Sequence, residues 1–457
     1  MSARAQRYAN QPVLVVGLGV SGVSALRYLT AQGARVTVTD SRAAPKGIDP
    51  LRAQYPDAAF YLGGFAAPAP LDQFRFAVLS PGVSPEEAFV QTLIEAGVEV
   101  IGDIELFARQ ITNHPSQITP KVVGITGSNG KSTVTTLVGE MAKAAGLRVA
   151  VGGNLGTPAL DLLADNVQLY VLELSSFQLE TTHSLHCAAA TVLNLSQDHL
   201  DRHHTMENYG AIKARIYRHC DVAVVNRDDE ASRSLPLYGA RMVTFGLDSA
   251  GDEAGEYGLC GVDDQIWLED AESPILNSDD LKIFGLHNIA NALAALALAD
   301  VVGIARAASV QTLENFTGLP HRCEFVRELD GVRYFNDSKG TNVGSTRAAL
   351  NGLPAPIVWL AGGQGKGQSF AALRAPLAEK GRAALLFGED APQIAADIAG
   401  ALPVEQVPTM FAALARARAL AQPGDQVLLS PACASFDQFK SYVDRGQQFR
   451  AAVEGLA

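Results

Sequence analysis

Apolar residues in this chain follow two alternating patterns. Short uninterrupted runs, such as Val13-Leu14-Val15-Val16 and Val122-Val123-Gly124-Ile125, lead into a glycine-containing turn and then into a stretch of helical spacing. A continuous apolar run bounded by turn residues suits a strand buried on both faces, and parallel strands need helical crossovers between them. The pattern therefore predicts an α/β chain with mostly parallel sheets.

The first series has a strand at Pro12-Val13-Leu14-Val15-Val16-Gly17, a helix from about Ser21 to Gln32 and a strand from Arg35 to Asp40. Phe76 to Gly82 repeats the strand-then-turn pattern, Val98 to Gly102 predicts a further strand, Ile104 to Gln110 a helix, and Asn113 to Gln117 a linker. A second series has strands at 122–125, 169–172, 189–193 and 222–225, runs into a strand-rich stretch between Arg241 and Leu281, and closes on a helix from Asn288 to Val302. The third begins near Gly318-Leu319-Pro320, with strands at 332–335, 357–360, 383–387 and 426–429 between Ala-rich helices. The first and third series read as doubly wound, Rossmann-like sheets.

A chain of 457 residues exceeds one hydrophobic core. The three series give domains over 1–110, 111–318 and 319–457. The net charge of −12, with no dense Lys/Arg run, argues against nucleic acid, because a phosphate backbone must be neutralised along its length. The N-terminus lacks an apolar leader core, and Asn291 and Asp300 interrupt the most apolar long stretch, Ala290 to Ala305, so a cytoplasmic protein without membrane contact is expected. Five widely spread cysteines without a C-x-x-C pair are expected to be reduced thiols, mostly in cores.

The run Thr126-Gly127-Ser128-Asn129-Gly130-Lys131-Ser132-Thr133 lies between a predicted strand and a predicted helix. There the glycines let backbone N–H groups line a concavity, the helix adds its positive end, Lys131 reaches β/γ-phosphate oxygens and the Ser132 hydroxyl can hold Mg²⁺. The literal G-x-x-x-x-G-K-[ST] pattern wants glycine where Ile125 stands, so the match is to a variant using Gly127. ATP is the expected ligand.

Gly17-Leu18-Gly19-Val20-Ser21-Gly22, with Asp40 ending the next strand, satisfies the dinucleotide fingerprint. Alone it says NAD, although the same geometry serves any diphosphate seated on a helix N-terminus. Ser80-Pro81-Gly82 ends a neighbouring strand and is either part of that site or a simple turn. Glu173 stands in an apolar strand, where a carboxylate needs Mg²⁺, an ion pair or hydrogen bonds. The run Asn194 to His204 concentrates oxygen and imidazole donors, but no second Cys/His cluster completes a zinc set. His199 is therefore taken as a site residue, while His203 and His204 are expected to be solvated. Lys213, read by itself, is a surface lysine.

At Thr126 to Thr133, Gly152-Gly153-Asn154-Leu155-Gly156, the Glu173 strand, Asp198-His199 and His321-Arg322-Cys323-Glu324, the chain resembles the Mur ligases. Asp337-Ser338-Lys339-Gly340-Thr341-Asn342 and Ser430-Pro431-Ala432-Cys433-Ala434-Ser435-Phe436-Asp437-Gln438-Phe439 resemble the branch that adds D-glutamate to UDP-N-acetylmuramoyl-L-alanine. The resemblance spans essentially the whole chain and implies a monomeric enzyme of peptidoglycan precursor synthesis. It implies that Gly17, Gly19, Gly22, Asp40, Ser80, Pro81 and Gly82 bind the UDP part, and that Asn154 and His199 contact the muramoyl substrate. Gly127 to Thr133, Asn288, Asn291, Arg322 and Asp337 would bind ATP. Ser132 and Glu173 would hold one Mg²⁺, and His199 a second. Lys213 matches the family's carbamylated lysine (N6-carboxylysine), whose oxygens join that second metal. Lys131, Glu173, His199 and Lys213 would be catalytic, and Lys339, Thr341, Lys366, Ser435 and Tyr442 would surround the incoming glutamate. Tyr442 stands where the family pattern has phenylalanine, and Ser369 where relatives are often acidic. A sibling ligase or folylpolyglutamate synthase shares the central domain, and an NAD-dependent oxidoreductase would account for Gly17 to Asp40 but leave Lys131 idle.

Overall fold

The computed structural model describes residues 7–112 and 119–457, so the Asn113 to Gln117 linker lies outside the described residues. Three sheets stack along the chain, each covered by helices.

The first sheet comprises β1 (Pro12–Val16), β2 (Arg35–Asp40), β3 (Ala59–Leu62), β4 (Ala77–Leu79) and β5 (Val100–Gly102), all parallel in the order β3-β2-β1-β4-β5. Alternate residues of β1 feed two cores: Val13 and Val15 enter one, Leu14 and Val16 the other. A strand buried on both faces has no polar position to spare, which is why its run is continuous. Its order reverses beside β1, so ligands are expected at the C-terminal ends of β1, β2 and β4.

The second sheet has nine strands: β6 (Lys121–Thr126), β7 (Val149–Gly153), β8 (Leu169–Glu173), β9 (Cys187–Val192), β10 (Cys220–Asn226), β11 (Arg241–Phe245), β12 (Glu256–Val262), β13 (Gln265–Asp270) and β14 (Pro274–Asn277). β6 is flanked by β8 and β9, and the strand-rich stretch ends in the antiparallel ladder β12-β13-β14. The helix Leu286–Val302 does not close this domain, because a second helix, Arg306–Asn315, follows it. Gly303, left-handed at φ 85°, caps the first helix and reads in sequence as a stop.

The third sheet contains β15 (Glu324–Leu329), β16 (Val332–Asn336), β17 (Ile357–Gly362), β18 (Gly381–Phe387), β19 (Val404–Gln406) and β20 (Gln426–Leu429) in the order β15-β16-β20-β17-β18-β19. Only β15 is antiparallel, and its charged alternation, Glu-Phe-Val-Arg-Glu-Leu, fits an edge strand.

The two domain junctions differ in kind. One apolar cluster runs from Val13, Val15 and Phe107 in the first domain to Tyr170, Leu172 and Leu179 in the central one, with the Phe107 and Tyr170 rings 5.1 Å apart. The third domain has two cores, one of which packs Phe284 of the central domain, and it meets the phosphate-loop region of the central domain through polar side chains.

Candidate active site

Thr126 ends β6, and the chain turns through Gly127 (φ 145°) and Gly130 (φ 84°) into the helix Lys131–Ala144. A side chain at 130 would also meet Asn291 Oδ1 at 2.5 Å, so space and backbone both demand glycine there. The loop is pinned by the segment after β9. Asn194 Oδ1 accepts from the Asn129 N–H at 2.8 Å while Asn194 Nδ2 donates to the Asn129 carbonyl at 3.1 Å, and Ser128 Oγ accepts from the Ser196 N–H at 2.9 Å.

Four predicted residues converge at the loop's far end. Ser132 Oγ donates to Glu173 Oε2 at 2.6 Å and accepts from Arg322 Nη2 at 2.7 Å, and Asn154 Nδ2 donates to Glu173 Oε1 at 2.7 Å. Glu173 is therefore a buried carboxylate with satisfied oxygens. Burial alone would raise its pKa, but Lys131, the bonds from Ser132 and Asn154, and Arg322 together bring it below the ordinary carboxylate value. Lys131 Nζ folds back onto the carbonyls of Gly127 (2.7 Å) and Ser128 (2.8 Å), and enclosure lowers its pKa, with Arg322 adding to the shift.

Lys213 corrects the surface-lysine reading. It is 1% exposed, with Nζ donating to Gly127 O at 2.9 Å and Thr126 Oγ1 at 3.1 Å and lying 4.8 Å from the Tyr209 ring centre. Burial, reinforced by Lys131, drives its pKa well below that of an ordinary lysine. His203 corrects another expectation: it is fully buried, not solvated, with Nε2 2.9 Å from Ser176 Oγ and Nδ1 3.3 Å from Glu180 Oε1. The short helix Leu200–His203 turns it inward, whereas His204 is exposed as expected. His199, left-handed at φ 54°, lies with Nε2 3.6 Å from Asp198 Oδ2 and its ring 4.8 Å from that of Phe177.

A cavity of about 310 Å³ opens beside the loop, lined by Asn129, Gly130 and Thr133, by Asn288 and Asn291 on the helix Leu286–Val302, and by Arg322, Asp337 and Lys339 of the third domain. Burial pushes Asp337 up to about 7, against the bond from Ser430, and pushes Lys339 down to about 8, with Arg322 and Lys131 assisting. Lys131, Arg322 and Lys339 thus outnumber Glu173 and the partly neutralised Asp337, a field suited to a polyphosphate.

A second cavity, about 500 Å³, lies at the ends of β1, β2 and β4 and is lined by Gly17 to Ser21, Asp40 to Arg42 and Ser80 to Val83, with Asn154 and Gln178 reaching in from the central domain. Asp40 is 2% exposed and accepts from the Leu18 N–H at 2.6 Å and from Arg42 Nη2 at 2.7 Å. Burial opposes its ionisation, but those bonds and the Arg42 charge hold its carboxyl at about 2. Gly22 lies beneath this cavity, where a side chain would run into the Gly17 carbonyl. His199 does not line it.

Of the expected amino-acid residues, Lys339 lines the first cavity, its Nζ 5.1 Å from the Tyr442 ring centre. Thr341, Lys366 and Ser435 lie on the loops after β16, β17 and β20 and line neither cavity. One residue the sequence reading did not single out ties those loops together. Arg445, fully buried, donates to Ser338 Oγ (3.0 Å), to the Ser338 carbonyl (2.9 Å), to the Cys433 carbonyl (3.1 Å) and to the Gly362 carbonyl (3.4 Å). Burial lowers its pKa to about 10. Arg42 and Asn194 were also missed. Arg42 stood two residues after Asp40, and Asn194 opened a run already noted for its ligand atoms.

Family models match almost end to end: the Mur ligase MurD-like N-terminal domain over residues 11–102, the Mur ligase middle domain over 125–299, and the Mur ligase glutamate ligase domain over 321–433. The UDP-N-acetylmuramoylalanine–D-glutamate ligase of Methylobacillus flagellatus is 51% identical over 449 residues, covering 98% of this chain and 97% of the relative. The enzyme of the same name from Marinobacter nauticus is 47% identical, with 98% and 99% covered. Among solved structures, MurF from Acinetobacter baumannii superposes with a TM-score of 0.61 at 17% identity, covering 99% of this chain and 92% of that one. A pseudomurein peptide ligase from Methanothermus fervidus gives 0.59 at 18% identity, with 97% and 99% covered. At such identities these two likenesses speak to the fold alone.

Proposed function

The chain belongs to the Mur ligases, and from that membership we propose that it joins D-glutamate to UDP-N-acetylmuramoyl-L-alanine in an ATP-dependent amide synthesis of peptidoglycan precursors. The observation that carries the reading is 51% identity over nearly the full length with a ligase of that name, in a chain whose phosphate loop borders one cavity and whose first domain holds a second.

The first-domain cavity takes the UDP moiety, with Asp40 and Arg42 at the base and the diphosphate on the Gly17 to Gly22 turn. Asn154 and Gln178 lead from it towards Glu173 and the phosphate loop, which directs the alanyl carboxylate at the γ-phosphate of ATP. Attack by that carboxylate on phosphorus gives an acyl phosphate and ADP. The glutamate amine then attacks the acyl carbon, a tetrahedral intermediate collapses, and phosphate leaves. Lys131, freed from its carbonyl contacts, and Arg322 offset the charge that builds as two anions meet. Lys339, beside Tyr442, faces the incoming carboxylates.

The residues present suit Mg²⁺. The Ser132 hydroxyl and the Glu173 carboxylate, 2.6 Å apart, are the oxygen donors Mg²⁺ takes together with phosphate oxygens. Ser132 and Glu173 would hold one ion, and His199 with Lys213 a second. Bound Mg²⁺ would neutralise phosphate charge. The environment of Lys213 favours the neutral amine that carbamylation requires, and the adduct would supply oxygen donors where the free lysine supplies none. No helix among the described residues is long and apolar enough to cross a membrane.

The test is phosphate release by purified protein with ATP, Mg²⁺ and UDP-N-acetylmuramoyl-L-alanine, comparing D-glutamate, L-glutamate and no amino acid, with the product weighed. Release dependent on D-glutamate and a product heavier by one glutamyl residue are expected. Release with a different amino acid would move the chain to a sibling activity.

A further inference from the structure

From the way the helix Val343–Gly352 meets the phosphate loop, we infer that Gly344 and Ser345 are positioning residues that seat the third domain on the central one and keep water from the activated carboxylate. The inference rests on the ligase reading for its chemistry and on contacts of its own for its geometry.

Asn342 caps the helix, its Oδ1 accepting from the Ser345 N–H at 2.8 Å. That fixes the first turn and aims the Ser345 hydroxyl across the domain junction, where Oγ donates to Asn129 Oδ1 at 2.7 Å. Asn129 belongs to the phosphate loop, and Asn194 clamps its backbone on both sides, so the acceptor is rigid. Gly344 lies between them for a steric reason. A Cβ there would come within 2.5 Å of Ser196 Oγ, 3.0 Å of Ser196 Cβ and 3.3 Å of Asn129 Nδ2. Rotating the Ser196 hydroxyl would leave the Cβ contact in place, so only glycine lets the helix approach this closely.

The same residues line the ATP-side cavity, making the helix its third-domain wall. Apolar packing crosses this junction at Phe284, whose ring lies 5.5 Å from that of Phe335 and 5.9 Å from that of Phe325, but at the phosphate loop itself the contacts are polar. Seating on the loop side therefore depends on a few polar contacts, and that side of the junction opens readily once they are lost. An acyl phosphate in an unseated cleft would be hydrolysed: water attacks, phosphate leaves, and the carboxylate is regenerated without amide.

Two substitutions separate this role from folding. Gly344→Ala puts the better helix former inside a helix, so the third domain should be no less stable, yet the methyl group acts as a wedge at the junction. Ser345→Ala removes the cross-domain bond, and Ser345→Thr restores a hydroxyl. In Gly344→Ala and Ser345→Ala, turnover to amide should fall on the order of 10- to 100-fold, as for a displaced catalytic geometry. Phosphate released per amide formed should rise above one, and Ser345→Thr should recover much of both. Solution scattering of each protein with a non-hydrolysable ATP analogue supplies the independent arm, with a larger radius of gyration expected for Gly344→Ala than for the parent. Equal radii for parent and Gly344→Ala, or a stoichiometry of one phosphate per amide with parental turnover in both alanine variants, would overturn the inference. A parent that forms no amide would refute the ligase reading, and the scattering arm would still decide the seating.

Discussion

Lys131→Met separates a catalytic cation from a structural one. In the structure Lys131 Nζ donates to the loop carbonyls Gly127 O and Ser128 O, with the Arg322 charge and the Glu173 carboxylate nearby. Two such bonds contribute about 1 kcal/mol each net of lost hydration. Those bonds and the attraction of Glu173 are opposed by the enclosure of an ammonium and its repulsion from Arg322, which prevail in the lowered pKa. A lysine whose folded pKa is depressed costs stability while it is charged in both states. The cost is complete below the folded pKa and fades as pH rises towards the unfolded value. The opposing effects nearly cancel, so the apparent stability of Lys131→Met at neutral pH should differ from the parent by no more than about 1 kcal/mol. Turnover is a different matter. A unit charge about 4 Å from a phosphate oxygen interacts by roughly 4 kcal/mol at an effective dielectric of 20, and loss of one preorganised transition-state contact costs about 10²- to 10³-fold in kcat. Phosphate release at saturating substrates and thermal unfolding with and without ATP measure both sides. Turnover within tenfold of the parent, or a loss of more than about 3 kcal/mol without ATP, would show that Lys131 braces the loop instead of serving the phosphates.

Other expectations concern the flanking sites. Asp40→Asn removes the charge that holds Arg42 and the Leu18 N–H, so KM for the UDP substrate should rise on the order of tenfold, with kcat little changed in steady-state assays. Gly22→Ala places a methyl group against the Gly17 carbonyl, so calorimetric titration should show loss of UDP-substrate binding before any loss of ATP binding. Lys339, held at about 8, must be protonated to meet a carboxylate, so KM for D-glutamate should climb as pH rises through 8, and that climb should vanish in Lys339→Ala.

The sequence announced the parallel strands because burial on both faces leaves continuous apolar runs, as in β1, β6 and β17. It announced the phosphate loop because its glycines and Lys-Ser pair are local in the chain. It missed the short edge strands β3 and β19, which are partly exposed and lack that run. His203 and Lys213 were misread for a related reason: composition alone does not say which face of a short helix turns inward, and both side chains are buried by partners far away in sequence. Arg445 carried no local signal, since an arginine on a helix reads as solvated until three loops close over it. The Ser345 to Asn129 bond spans two domains and was beyond reach of any local pattern.

The central claim is that the cleft between Glu173, Lys131 and the third domain activates a carboxylate by phosphorylation, and isotope transfer tests it most directly. UDP-N-acetylmuramoyl-L-alanine carrying ¹⁸O in its alanyl carboxylate would be turned over with ATP, Mg²⁺ and D-glutamate, and the released phosphate examined by mass. Each phosphate should carry one ¹⁸O from the carboxylate, with the other label retained in the amide carbonyl. Unlabelled phosphate alongside amide formation would contradict an acyl phosphate and the geometry derived for it.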